Sequence, residues 1–102
     1  MDEELMRQLV QRLVTIRQQH NVSQQSVADC MGIRNDTLRH AERGRRPLPD
    51  FMHGRIDWVR LYLKCVGATP LEEKEVMELA AHEFLTIFSE WMRDLEDRNS
   101  GL

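Results

Sequence analysis

Between Arg34 and Arg60 the chain places seven arginines, at 34, 39, 43, 45, 46, 55 and 60, and not one lysine. A guanidinium is a planar, permanently charged fork of donors, suited to a phosphate or to the O6 and N7 edge of guanine in a way that a lysine point charge is not. Asn35 and Asp36 stand among them. An asparagine amide pairs with adenine N6 and N7, and a carboxylate accepts from cytosine N4. Asp36 has a second reading, as the acid that complements the positive start of a helix, and repulsion by phosphates favours it. His40 is a surface residue or a backbone contact. Arg55 and Arg60 read as salt-bridging surface residues rather than nucleic-acid ligands.

Charge is segregated along the chain. The whole carries a net −3 at a pI near 5.8, but residues 1–33 sum to −1, residues 34–60 to +3 and residues 61–102 to −5. Only the middle third attracts a polyanion, and its arginines crowd around Gly44, which favours a binding surface over a merely solvated face.

Other chemistry is thinly represented. His20, His40, His53 and His82, with Cys30 and Cys65, form no Cys-x-x-Cys, His-x-x-x-His or glycine-rich phosphate loop. Neither a catalytic centre nor a metal or other cofactor is expected. Each cysteine falls inside a helix without a partner at ligand spacing, unlike the bridge framework of a small secreted protein, which points to a reducing cytoplasm. No apolar run reaches eighteen residues, and the first twenty are acidic, then amphipathic, so neither a membrane span nor a secretory signal is expected.

The elements that must position the arginines follow from spacing. The chain has 102 residues, 41% of them hydrophobic and 6% aromatic, which suits one small domain of packed helices. Leu5, Leu9, Leu13 and Ile16 recur at helical steps and predict a helix over Glu4 to Gln19, with Asn21 as a left-handed cap. Ser23 caps a second helix from Gln24 to Met31 that buries Val27, Ala28 and Met31, and Gly32 ends it. A third, from about Asn35 to Arg43, buries Leu38 and Ala41 and closes at Gly44. Arg45-Arg46-Pro47-Leu48-Pro49-Asp50 reads as an extended basic loop. The fourth helix, about Arg55 to Val66, is apolar nearly all round and predicts burial: Ile56, Val59, Leu63 and Val66 on one face, Trp58, Leu61, Tyr62 and Cys65 on the rest. Thr69 and Pro70 start a final helix to about Asp97, with Val76, Met77, Ala80, Phe84, Ile87, Phe88, Trp91 and Leu95 in one stripe and acids opposite. At 1.5 Å per residue it spans roughly 40 Å, more than so small a globule needs to cover itself, and an association surface is expected.

Two short helices around a glycine turn, followed by an arginine loop, form the pattern of a DNA-reading helix-turn-helix. The stretch from Leu13 to Pro47 resembles the lambda-repressor/Cro-type family, also called xenobiotic-response-element-type regulators. The matching words are Ile16-Arg17, Val22-Ser23-Gln24, Val27-Ala28, Gly32-Ile33, Thr37-Leu38 and Glu42-Arg43-Gly44-Arg45-Arg46-Pro47. They cover about a third of the chain, and buried, turn and terminal positions agree together. The resemblance implies a five-helix all-α fold with a DNA-binding domain over residues 1–67; the length and stripe of the last helix make 68–98 a dimerisation helix packed on it, and 99–102 is expected to be a frayed tail.

It also implies roles. Arg34, Asn35, Asp36 and Arg39 would face base edges, while Gln24, Thr37, Arg43, Arg45 and Arg46 would meet phosphate. Arg17 and Glu42 would form a structural ion pair. The family usually opens the third helix with Ser or Thr; here Arg34 cannot cap, so Asn35 either caps or reads a base. The expected protein is a homodimeric repressor of a phage, plasmid or other compact bacterial operon, acting in the cytoplasm and on the nucleoid when bound to a palindromic operator. Its dimer surface would run through Phe84, Ile87, Phe88, Trp91 and Leu95. The rival expectation is an antitoxin or other binding module whose acidic last helix docks a protein partner.

Overall fold

The computed structural model describes residues 3–44 and 52–100, without the side chains of residues 3, 52, 53, 84, 86–88, 90, 91 and 98–100. Five α-helices account for the described chain: α1 (Glu3–Gln19), α2 (Gln24–Met31), α3 (Asn35–Glu42), α4 (Met52–Val66) and α5 (Pro70–Ser100). No strand occurs among the described residues, and no described helix is long and apolar enough to cross a membrane.

The helix ends are set by local chemistry. Asn21 takes a positive φ of 56° to close α1. The Ser23 hydroxyl accepts from the Ser26 amide at 3.1 Å and caps α2. Gly32 (φ 72°) ends α2 with its own amide on Asp29 O and the Ile33 amide on Ala28 O. A side chain at that φ is strained whatever space surrounds it, which is why glycine stands there. Before α5, Thr69 and Glu72 cap one another reciprocally: the Glu72 amide donates to Thr69 Oγ1 at 3.2 Å and the Thr69 amide to Glu72 Oε1 at 2.8 Å.

One core holds all five helices together. Leu9, Leu13 and Ile16 of α1, Val27 and Ala28 of α2, Leu38 of α3, Val59, Tyr62 and Leu63 of α4, and Val76 and Ala80 of α5 are shut off from solvent. Because α2 and α3 have eight residues each, neither is stable alone. Their shape depends on the larger α1 and α4 behind them.

Four expectations need correction. Helix α4 is not buried all round: Asp57, Arg60, Leu61 and Lys64 face solvent, Leu61 being 39% exposed. Arg55 is not a surface residue; it is fully buried and ion-paired with Glu83 of α5, an acid on the core side of a helix whose acids were expected opposite. Helix α5 extends to Ser100, beyond the end expected at about Asp97. Finally, Cys30 and Cys65 are joined in a disulfide between α2 and α4, with Cα atoms 5.7 Å apart.

Candidate nucleic-acid interface

Helix α3 buries only Leu38 and Ala41, and its remaining surface carries the polar residues singled out in the sequence. Arg34 precedes the helix as its N-cap with no side-chain cap bond, so Asn35 is the first helical residue and not the cap. The Arg34 side chain is 86% exposed. Asp36 and Arg39 lie one turn apart, and Arg39 Nη2 donates to Asp36 Oδ1 at 2.7 Å. Arg34 Nη2 approaches the other Asp36 oxygen at 4.0 Å. The carboxylate therefore sits between two arginines, which offsets its repulsion of any nearby phosphate. Asn35 Oδ1 and Arg39 Nε are closed to solvent and have no hydrogen-bond partner among the described residues. Thr37 is half-buried and Arg43 exposed. Arg45 and Arg46 lie outside the described residues.

Behind this surface, Glu42 ties four helices together. Arg17 of α1 grips its carboxylate in a fork, Nε and Nη2 each at 2.9 Å. Gln24 Nε2 of α2 donates to Oε1 at 2.8 Å, and the Tyr62 hydroxyl of α4 donates to Oε2 at 2.6 Å. Arg17 Nη1 also donates to Val22 O at 2.9 Å. The Arg17–Glu42 pair expected from the resemblance is present, and its further donors are satisfied, which a buried pair requires if it is to be favourable. Burial works against the Arg17 charge, but the Glu42 carboxylate outweighs it and leaves the guanidinium pKa raised. Burial, then the bond to Glu42, pushes the Tyr62 hydroxyl far above the usual phenol range.

Gln24 thus has a structural job as well as the phosphate-contacting role expected of it: one amide hydrogen holds Glu42, and only the other remains for a ligand. The resemblance supplied Arg17 and Glu42 but not Tyr62, whose helical position recorded burial and nothing of its hydroxyl.

Of the proposed association stripe, Leu95 is half-buried, and the side chains of Phe84, Ile87, Phe88 and Trp91 lie outside those described. Leu85 and Met92, on the same stretch of α5, are 63% and 38% exposed. No group of histidine, cysteine or acidic residues among the described ones has the arrangement of a metal site. No family model, curated protein or solved structure matches the chain.

Proposed function

We propose that the protein is a sequence-specific DNA-binding regulator, a homodimeric repressor acting in the bacterial cytoplasm, with α2 and α3 as a helix-turn-helix and α3 as the helix that enters the major groove. The observation that carries this reading is α3 itself. It presents Asp36 and Arg39 outward, with Arg34 exposed just before it, while Glu42, at its far end, is fixed by α1, α2 and α4. A reading helix needs both properties, since base contacts specify only when a rigid scaffold sets their register. Arg39 is the first candidate for guanine, with Asp36 holding one of its nitrogens; Arg43 and the arginines at 45 and 46 are suited to phosphate.

Selection of duplexes from a random pool tests the reading directly. A near-palindrome with half-sites about one turn, roughly 34 Å, apart is the expected product. Arg39→Ala should relax one base position in each half-site, and Arg45→Ala should weaken binding to all sequences alike. A pool that shows no enrichment over its starting composition sinks the proposal.

One observation favours a second reading. Leu85 and Met92 are exposed on an acidic helix, as a protein-docking face would be. If substituting Arg39 and Arg45 leaves DNA affinity unchanged while α5 substitutions abolish capture of a protein partner, this second reading replaces the first.

A further inference from the structure

The disulfide sits where it can act on the turn between α2 and α3. Cys30 is two residues before Gly32, which starts that turn, and Cys65 is two residues before Gly67, which ends α4 (φ 80°). The bridge therefore clamps the C-terminal end of α2 to the C-terminal end of α4. The N-terminal end of α2 is held separately, through Gln24 and the Glu42 network. Between the two anchors Val27 and Ala28 pack this eight-residue helix on the core, and Met31, one residue past the bridge, is buried as well. Breaking the bridge leaves the Gln24 anchor and the packing of Val27, Ala28 and Met31 in place but removes the covalent tie at the end that feeds the turn. Cys30 is exposed and Cys65 half-buried, so a reactant in solution meets Cys30 first.

We propose that Cys30–Cys65 is a reversible thiol–disulfide exchange site for low-molecular-weight disulfides such as oxidised glutathione, and that its state sets the rigidity of the α2–α3 turn and with it the affinity of α3 for DNA. The affinity effect rests on the function proposed above; the exchange does not. In the reduced protein the Cys30 thiolate attacks one sulfur of glutathione disulfide, forming a mixed disulfide and releasing one glutathione thiolate. The Cys65 thiolate then attacks the Cys30 sulfur, closing the protein bridge and releasing the second. The two protein sulfurs lose two electrons and two protons, and the glutathione disulfide gains both and leaves as two thiols. Excess glutathione reverses the sequence, attacking first at exposed Cys30.

The test uses the full chain equilibrated across glutathione/glutathione disulfide ratios, with free thiols trapped by a maleimide and counted by mass. Two alkylations at reducing ratios, falling to none at oxidising ones, are expected; two at every ratio would overturn the proposal. Circular dichroism should report the same helix content in both forms, because core and Glu42 network persist, and unfolding on reduction would overturn a local effect. Amide exchange at Gly32 and Ile33 should rise on the order of tenfold on reduction, with the Leu9 and Leu13 amides of α1 unchanged. Equal exchange at the turn in both forms would overturn the proposal. A duplex enriched from the random pool should bind the oxidised form at least several-fold more tightly, and Cys30→Ser and Cys65→Ser should each bind like the reduced form at every ratio. A duplex bound equally by both forms would overturn the proposal while leaving the DNA reading intact. Absence of binding by either form, with the exchange difference present, would overturn the DNA reading.

Discussion

At Glu42 a single carboxylate receives donors from Arg17, Gln24 and Tyr62, so the position of α3 depends on one side chain whose partners come from three other helices. Tyr62→Phe removes one donor from this cluster and leaves the ring in place. The loss should cost about 2 kcal/mol, the usual worth of a hydrogen bond to a charged group, measured by urea denaturation. It also changes the alkaline limb. The folded phenol has a raised pKa while the unfolded one ionises near its ordinary value of 10.0. Its contribution is therefore fully present below pH 10 and declines as pH rises above it. The wild type should lose stability above pH 10 more steeply than Tyr62→Phe; parallel curves would assign the alkaline transition elsewhere. The buried Arg55–Glu83 pair behaves differently. Glu83→Ala should cost about 3–5 kcal/mol because it removes the carboxylate paired with a buried guanidinium, whereas Arg55→Met with Glu83→Leu should come close to the wild type in a denaturant titration. A double variant as unstable as the single one would mean that the pair is worth more than the apolar packing that replaces it.

Elements whose ends are marked by local chemistry were legible in the sequence. Asn21, Ser23, Gly32 and the Thr69–Pro70 start fell where capping rules put them, and α2 buries Val27, Ala28 and Met31 as its spacing predicts. Of the candidate interface, the turn and the order of the α3 residues were readable because each depends on residues close in sequence, whereas the Arg17–Glu42 pair, 25 residues apart, was expected only through the family resemblance. What escaped depends on the relative rotation of distant helices. Glu83 faces inward because α4 brings Arg55 opposite it, and Cys30 meets Cys65 because α2 crosses α4 at that level; neither follows from the period of one helix. The α1–α5 junction belongs to the same class. There His20 Nε2 lies 2.8 Å from Glu72 Oε1 and Arg12 pairs with Glu75 at 2.9 Å. The Thr69 amide, then His20, holds the Glu72 carboxyl below its ordinary value of 4.5. A depressed folded pKa adds stability that is present above the unfolded value and lost as pH falls through the folded one. Acid below about pH 4.5 should therefore loosen the start of α5, and Glu72→Gln should flatten that part of the stability profile. An unchanged acid limb would remove Glu72 from the account.

For the whole molecule, the dimensions of 56 × 28 × 20 Å reflect α5, whose 31 residues extend about 46 Å at the helical rise. Val76 and Ala80 anchor its first half in the core, while further along it Leu85 and Met92 are exposed. Together with Phe88 and Leu95 in the sequence, these residues step by three, four and three, the spacing of a two-helix seam. A second copy of α5 covering that seam would give the molecule the twofold axis that a palindromic operator requires. Leu85→Asp with Met92→Asp, and Phe88→Asp separately, should each produce a 12.1 kDa monomer by light scattering in place of a dimer. The circular dichroism of α1 to α4 should be preserved, since none of their core residues is altered. Monomers would also lose DNA binding more steeply than a change in mass alone requires, because two half-sites would no longer be bound through one linked protein. Salt separates this from damage to the reading helix. The logarithm of affinity should fall by about 0.9 per phosphate contacted for each unit in log salt, so Arg43→Ala should flatten the slope by nearly one unit while leaving the dimer mass intact. If the α5 variants remained dimeric with an unchanged salt slope, the second copy would have to sit elsewhere on the chain, and the exposed leucine and methionine would be left as a docking face for a different protein.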